Sequence, residues 1–165
     1  YSTFNARAEE FTTKPAFRDA WARAQRCLVV TDGFYEWKKL DPKGKLKQPY
    51  AIAMADDDAQ MVMAALWAKW KSPTSGEEVL SCTILTCRPN KAMDELHDRM
   101  PVILEEIDWP KWLGEEPASE QELLTLLKPC PDEALKLWPV DKMVSNVRNN
   151  GPQLILPVLS EAVPA

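Results

Sequence analysis

The chain has 165 residues, of which 45% are hydrophobic, and it carries a formal net charge of −5 at pH 7. The length and hydrophobic content are typical of one globular domain with a sizeable core, and the net charge argues against a uniformly basic nucleic-acid-binding protein. Because no stretch approaches the roughly 18 apolar residues of a membrane-spanning helix, we expect a soluble, cytoplasmic protein without a membrane partner.

The first half of the sequence predicts one helix followed by short strands. The helix begins behind Thr13-Lys14-Pro15, shows an apolar i, i+4, i+7 face and ends near Arg26. Short β-branched or alternating runs bounded by turn residues then predict strands at 27–31, 34–38, 50–54, 61–67 and 79–86.

Short helices dominate the prediction for the second half. Ser119 and Glu122 have the spacing of a capping box, which marks a helix start. We predict helices at 90–96, 108–113, 120–128 and 131–137, and one strand at 100–104. Consecutive strands with flanking helices and no βα alternation predict an α+β domain over residues 1–165, built on a mostly antiparallel sheet or distorted barrel.

Positive charge is concentrated near the N-terminus. Residues 1–50 carry ten Lys and Arg side chains against six Asp and Glu, whereas residues 51–165 carry ten against nineteen. A basic face on an acidic protein is one interpretation. Solvated loop lysines such as Lys43, Lys45 and Lys47 are the other.

Polar residues in two N-terminal segments interrupt the core pattern. Asn5, Arg7 and Glu9 alternate with small residues, so an extended backbone would place them on one face, suited to phosphate and carbonyl recognition or simply solvated. Glu36 lies among three aromatic residues in 33–37. Apolar surroundings would raise its pKa toward general acid–base use, although the alternation also allows Glu36 to face solvent.

Two further polar segments follow in the second half. His97 and Arg99 place a titratable imidazole beside a fixed cation that could hold a phosphate, although a lone histidine is frequently structural. The loop 145–152 ends in Asn-Gly-Pro, which requires tight turn geometry, and it also serves as a simple connection to the C-terminal tail.

The cysteines allow a second interpretation, a thiol peptidase. Cys82 or Cys87 would be the nucleophile and His97 the base, with Cys87 exposed at a strand end. Otherwise the scattered positions of Cys27, Cys82, Cys87 and Cys130 predict reduced thiols without a metal site, and no organic cofactor is implied.

A third interpretation is a non-covalent binding module for single-stranded nucleic acid. Trp37, Trp67 or Trp70 would stack on bases, and the N-terminal basic residues would contact phosphates. Strand-borne aromatics are a main source of buried area in a domain of this size, so we predict that these tryptophans fill the core instead.

Six motifs, in this order, resemble the SOS response-associated peptidase (SRAP) family. They are Asn-Ala-Arg-Ala-Glu at 5–9, Asp-Gly-Phe-Tyr-Glu-Trp at 32–37, Gln-Pro-Tyr at 48–50, Ala-Leu-Trp at 65–67, His-Asp-Arg-Met-Pro at 97–101 and Asn-Val-Arg-Asn at 146–149. The resemblance covers nearly the whole chain and implies an SRAP-like α+β fold.

The resemblance also implies a function in the SOS response to DNA damage. Family members begin Met-Cys-Gly, remove the methionine autoproteolytically and use the exposed cysteine to form a thiazolidine crosslink with abasic sites. The implied partner is single-stranded DNA containing abasic sites, with nucleoid association after damage and no obligate protein partner. The activity would be that of a self-crosslinking peptidase with lyase-like chemistry in DNA repair.

The family's catalytic roles transfer onto three residues of this sequence. The resemblance implies that Asn5 orients the N-terminal cysteine. Glu36 would shuttle protons during Schiff-base formation and methionine removal. His97 would assist sugar ring opening and reversal of the crosslink.

DNA contacts are implied for three more residues. Arg7 and Arg99 would hold phosphates beside the lesion, and Thr86, eleven residues before the histidine, would lie near the reacting sugar. The sequence begins at Tyr1, and none of its four cysteines occupies the family's nucleophile position. We therefore expect an SRAP domain whose N-terminal part is missing from this sequence, through truncation or disorder, rather than a degenerate copy.

Overall fold

The computed structural model of the chain describes residues 3–158. Their strands form two open sheets, one of five strands and one of three. In chain order the strands are β1 (Asn5–Arg7), β2 (Arg26–Thr31), β3 (Phe34–Lys39), β4 (Lys47–Met54), β5 (Met61–Lys71), β6 (Glu78–Cys87), β7 (Met100–Pro101) and β8 (Leu135–Pro139).

The helices are short and lie between or after the strands. They are α1 (Arg18–Ala22), α2 (Lys91–Asp94), α3 (Trp109–Leu113) and α4 (Glu120–Thr125), with 3-10 turns at Glu106–Asp108, Asp132–Ala134, Lys142–Ser145 and Pro152–Ile155. The predicted α+β class with flanking helices is confirmed. Within residues 3–158, no helix has the length and apolarity needed to cross a membrane.

The topology brings distant segments together around β6. The larger sheet has the order β1-β6-β5-β2, with β7 also paired to β6, and the smaller sheet has the order β3-β4-β8. The named strand pairs are antiparallel except for β1 with β6, which is parallel. Thr86 lies opposite Arg7 on one pairing and opposite Pro101 on another, so β1 and β7 meet at this residue.

A buried tryptophan connects α3 to the larger sheet. Trp112 is fully buried, and its indole N–H donates to the Cys27 carbonyl oxygen on β2 at 3.0 Å. The guanidinium of Arg26 packs 5.7 Å from the ring centre of Trp21 and 5.9 Å from that of Trp112. These cation–π contacts attach α1 and α3 to the first residue of β2.

The predicted first helix is wrong in extent. Only Arg18–Ala22 is helical, and the residues before it form turns. Ala24 has φ of 53°, in the left-handed region, so the helix cannot continue to the predicted end near Arg26. Arg26 instead begins β2, where it pairs with Leu66.

The predicted helix at 131–137 is also wrong. After the 3-10 turn Asp132–Ala134, the chain forms β8, which pairs antiparallel with β4. The alternating Leu-Lys-Leu-Trp run fits a strand once the free edge of β4 provides a partner. The other helix predictions are confirmed with shorter bounds, and both hydrogen bonds of the capping box at Ser119 and Glu122 form.

The predicted strand at 100–104 is confirmed only for its first two residues. β7 ends at Pro101. Beyond it the backbone still donates to the larger sheet, with the Val102 N–H bonded to the Leu85 carbonyl oxygen at 2.9 Å. Ile103 forms an isolated bridge with Met63.

Two tryptophans predicted to fill the core lie on the surface. Trp67 is 36% exposed and Trp70 is 57% exposed. Residues 67–71 of β5 pair with residues 78–82 of β6, and both stretches are exposed. Trp37 is partly buried, and its indole N–H donates to the Ser145 hydroxyl at 2.8 Å.

Gly33, at the turn into β3, provides a test of how β3 is held in place. A Cβ at this position would overlap the Ile52 carbonyl oxygen of β4. We expect Gly33→Ala to lower the free energy of unfolding by about 3 kcal/mol in urea denaturation, because backbone atoms must shift. The control Gly76→Ala meets no atom within 4 Å and should cost only about 1 kcal/mol for its positive φ. Equal losses would contradict this packing.

Candidate functional site

A cavity of about 220 Å³ lies where β1, β3, β6 and the segment before β7 meet. Five of the six residues predicted from the sequence line it: Asn5, Glu36, Thr86, His97 and Arg99. The rest of the lining is apolar or proline. The fold therefore collects into one small cavity polar residues that are up to 94 positions apart in the sequence.

Asn5 reaches the cavity because β1 is extended and pairs in parallel with β6. It lies opposite Ile84, and the alternation along β1 buries Ala6 while leaving Asn5 and Arg7 exposed. The predicted common face therefore holds for Asn5 and Arg7, but Glu9 lies in the turn after β1.

Arg7 lies outside the cavity that Asn5 shares with the other candidates. It borders a neighbouring cavity of about 570 Å³, which Asn5 also lines. Its side chain is 63% exposed, with Nη1 at 3.8 Å from the Glu10 carboxylate. At this distance and exposure the ion pair is weak, so the guanidinium remains accessible to an anion.

Glu36 is the acid–base candidate of the cavity. It lies on β3 opposite Tyr50 and is partly buried. Loss of solvent raises its pKa above the ordinary carboxyl value, an effect that the nearby His97 opposes. The predicted rise in pKa is confirmed, and its cause is burial. A raised pKa brings a carboxyl group closer to the range in which it can both donate and accept a proton.

His97 follows α2 and has local partners for one ring nitrogen. The Arg99 backbone N–H donates to Nδ1 at 3.0 Å, so the neutral ring carries its proton on Nε2. The Arg99 carbonyl oxygen lies 3.1 Å from Nδ1 and an Asp98 carboxylate oxygen lies 3.3 Å away. Both oxygens can accept a proton on Nδ1 when the ring is charged.

Arg99 is held by protein acceptors. Its Nη1 and Nη2 atoms each donate to the Glu9 carboxylate at 2.8 Å, and Nη2 also donates to the Thr86 carbonyl oxygen. The arginine side chain is only 17% exposed. A phosphate could reach this guanidinium only by sharing it with the Glu9 carboxylate or by displacing that carboxylate. The role inferred from the sequence did not include this competition.

The contact between Glu9 and Arg99 is the feature beside the site that sequence reasoning missed. The pKa of Glu9 is lowered chiefly by the hydrogen bonds from Arg99. The only available signal was its place in the Asn-Ala-Arg-Ala-Glu alternation, which carries no information about a partner 90 residues away. The ion pair attaches the segment containing His97 to the end of β1.

The expected exposure of Cys87 is wrong. It is 3% exposed, because its side chain belongs to the hydrophobic core, and burial raises the pKa of its thiol to about 12. All four cysteines are free, and none lines the 220 Å³ cavity. Within residues 3–158, no cluster of three or more His, Cys, Asp or Glu could hold a metal ion.

A larger groove of about 550 Å³ extends from the same catalytic candidates. Glu36 and His97 line both spaces, and the groove continues to Trp37, Lys39 and Lys47. Sequence reasoning left open whether Lys47 belongs to a basic face or is a solvated loop lysine, and it did not single out Lys39. The signal that could have found them is the concentration of five lysines in residues 38–47.

The Glu9–Arg99 ion pair should contribute to stability. Glu9→Ala leaves a largely buried guanidinium without its carboxylate, so we expect the free energy of unfolding at pH 7 to fall by about 1–3 kcal/mol. The loss should shrink as the pH falls through the lowered pKa of Glu9, where the parent's own carboxylate becomes protonated. Urea denaturation at several pH values measures both effects.

Glu10→Ala is the matched control for that variant. Glu10 pairs with the exposed side chains of Arg7 and Lys14, so its loss should leave the unfolding midpoint almost unchanged. If both variants destabilised the protein equally, the special role of the Glu9–Arg99 pair would be refuted.

Glu36 should make the protein less stable as the pH rises. Because its pKa is raised in the folded protein, the unfolded chain loses this proton first, and the free energy of unfolding then decreases. Glu36→Gln should therefore be more stable than the parent at pH 7, whereas the two should converge below the ordinary value of 4.5. A variant no more stable than the parent at pH 7, in urea denaturation, would contradict desolvation of Glu36.

Comparison with known proteins gives consistent results. The family model described as SOS response associated peptidase (SRAP) matches residues 1–147. The abasic site processing protein YoqW of Bacillus subtilis is 38% identical over 155 residues, which cover 94% of this chain and 67% of that protein. The abasic site processing protein HMCES of Xenopus tropicalis is 31% identical over 176 residues, covering 96% and 51%.

The fold is similar to that of a solved structure. A crystal structure of a protein from Bacteroides thetaiotaomicron matches with a TM-score of 0.83 at 30% identity, covering 95% of this chain and 66% of that one. This chain thus spans about two thirds of YoqW and about half of the vertebrate relative.

Proposed function

We propose that this chain, which belongs to the SRAP family, acts on abasic sites in single-stranded DNA as part of the cellular response to DNA damage. The observation that carries the proposal is the convergence of Asn5, Glu36 and His97 on one small cavity. The names of the two relatives support abasic DNA as the substrate class.

The proposed reaction joins the lesion to an N-terminal cysteine. The α-amine forms a bond to C1′ of the ring-opened abasic sugar, and water leaves as the Schiff base forms. The cysteine thiolate then adds to the same carbon while the nitrogen takes up a proton, which closes a thiazolidine. An aldehyde and an aminothiol thus become a thiazolidine and water, so the reaction needs no oxidant, reductant or cofactor.

The three cavity residues divide the proton transfers between them. Glu36, with its raised pKa, can donate a proton to the departing hydroxyl and accept one from the attacking amine. His97 can move a proton during sugar ring opening and during reversal of the crosslink, because its ring has acceptors for the charged state. Asn5 orients the amine through its side-chain amide.

In this proposal, residues at the edges of the cavity bind the backbone phosphates of the DNA. Arg7 offers an exposed guanidinium on the neighbouring cavity. Arg99 acts as a cation already held by Glu9, and Thr86 lies beside the sugar. A bent single strand needs such point cations to hold it on both sides of a lesion.

The nucleophile of this proposal is a cysteine outside the present sequence. Cys87 is buried, and burial also raises the thiol pKa of Cys27 and Cys130 to about 11. In the natural protein, hydrolysis of a Met–Cys bond with Glu36 as acid and base would expose the cysteine, which accounts for a peptidase activity. Association with the nucleoid after damage would follow from the substrate.

A non-covalent binding module is the alternative that one observation favours. The exposed rings of Trp67 and Trp70 lie on opposite faces of β5, because they are three residues apart on one strand, and each offers a surface on which an unpaired base can stack. This alternative predicts binding that is indifferent to an abasic site. The thiol-peptidase alternative has little support for either cysteine. Burial raises the thiol pKa of Cys87 to about 12, so it is scarcely ionised at neutral pH. Cys82 is exposed, but it lines a different cavity from His97, the base of that alternative.

The test is crosslinking by the natural full-length protein. Incubation with a single-stranded oligonucleotide containing one abasic site should give a product that survives a denaturing gel and has the summed mass less one water. Glu36→Gln should reduce the crosslinking rate at least about 100-fold, the usual scale of general acid–base catalysis.

Glu106→Gln, an exposed carboxyl on a 3-10 turn, is the control and should crosslink like the parent. Blocking an N-terminal cysteine should abolish the product. If a protein confirmed to begin with cysteine gave no crosslink and bound intact and abasic strands equally, the binding module would replace this proposal.

A further inference from the structure

Positive charge is concentrated on the hairpin that joins β3 to β4. Residues 38–47, here called the basic hairpin, contain five lysines and one aspartate, in a chain whose net charge is −5. The turn is closed by two hydrogen bonds: the Gly44 N–H donates to the Asp41 carbonyl oxygen at 2.9 Å, and the Leu46 N–H donates to the Asp41 carboxylate at 2.6 Å. The basic hairpin is therefore a hydrogen-bonded cationic feature on an acidic molecule.

Two lysines of the basic hairpin face each other without compensation. Lys39 and Lys47 are directly opposite in the β3–β4 register and both are exposed. Like charges at such positions destabilise a strand pair. Within the part of the chain that the structure describes, neither forms an ion pair, whereas the adjacent Lys38 is neutralised by Glu95 at 2.9 Å.

The stem of Lys39 is supported by the turn. Gly44 has φ of 64°, and a Cβ added there would lie 3.5 Å from the Cδ atom of Lys39. This is an ordinary van der Waals distance, so the stem of Lys39 lies close to the turn. Packing of this stem reduces the freedom that the ammonium group loses when it binds an anion.

The opposed lysines border the groove that leads away from the catalytic cavity. Lys39 and Lys47 line the 550 Å³ groove, and Glu36 and His97 line both this groove and the 220 Å³ cavity. Apart from Glu36 on β3, the acidic residues of the groove belong to α2 and the segment after it. An anionic strand leaving the cavity would therefore follow the hairpin side.

We propose that Lys39 and Lys47 together bind a backbone phosphate of the DNA strand on one side of the abasic site. The inference rests on the proposed function, since it continues the path of the same strand. A bound phosphate offsets the repulsion between the two ammonium groups, and each lysine can act as a point charge toward it. The site would make the protein require flanking nucleotides on that side of the lesion.

Non-covalent binding tests this proposal. The probes are two single-stranded oligonucleotides that carry a tetrahydrofuran analogue, which cannot open to an aldehyde, with flanking nucleotides only 5′ or only 3′ of it. For the full-length Lys39→Gln/Lys47→Gln variant, Kd should rise about tenfold for one probe and stay within twofold for the other. The dependence of log Kd on log salt should flatten by about 0.7 per lost phosphate contact.

Lys43→Gln/Lys45→Gln is the matched control, because it removes the same charge from the same hairpin at positions that do not line the groove. It should change Kd for either probe less than threefold. Lys39→Arg/Lys47→Arg keeps both charges and should restore binding. Removing the opposed charges should not lower Tm, and restoration by the arginine variant excludes misfolding as the cause of any loss.

The outcomes separate this inference from the proposed function. Three results would overturn the phosphate site. Lys39→Gln/Lys47→Gln could bind both probes as tightly as the parent, the control could lose as much affinity, or the affinity loss could be equal for both probes. A parent that forms no crosslink with a true abasic site overturns the proposed function instead. A parent that crosslinks, with a variant that binds both probes normally, overturns only the inference.

Discussion

The carbonyl oxygen of Thr86 accepts hydrogen bonds from the Ala8 backbone N–H, at 2.8 Å, and from the guanidinium of Arg99. The rest of the site depends on this junction, because it connects β1, β6 and the segment before β7. The Glu9 carboxylate closes the junction by binding Arg99 at two points. His97 lies two residues from Arg99, so its position follows from the same contacts.

The two carboxyl groups near this junction have opposite electrostatic environments. Glu9 accepts charge-assisted hydrogen bonds, which lower its pKa and keep it an anion. Glu36 is desolvated, which raises its pKa and favours the proton-bearing form. One carboxylate therefore serves as a structural anchor, and the other is the one whose environment favours the proton-bearing form. The basic hairpin gives an acidic protein a local cationic surface.

The sequence by itself determined the family, the α+β class and most of the candidate site. The motifs around Asn5, Glu36 and His97 are local patterns, and the aromatic neighbours of Glu36 correctly indicated desolvation. Local hydrogen bonding likewise made the capping box at Ser119 predictable. Features that depend on residues within a few positions of one another can be read without the fold.

Only the tertiary structure decided the features that depend on distant partners. The alternating segment after Ala134 forms β8 because it pairs with the free edge of β4. Trp70 is exposed because its part of β5 pairs with the exposed first half of β6. Cys87 is buried because the end of β6 contributes its side chain to the hydrophobic core. Glu9 binds Arg99 because the parallel pairing of β1 with β6 places the end of β1 beside that arginine. Each outcome is set by contacts between residues far apart in the chain, which local periodicity does not encode.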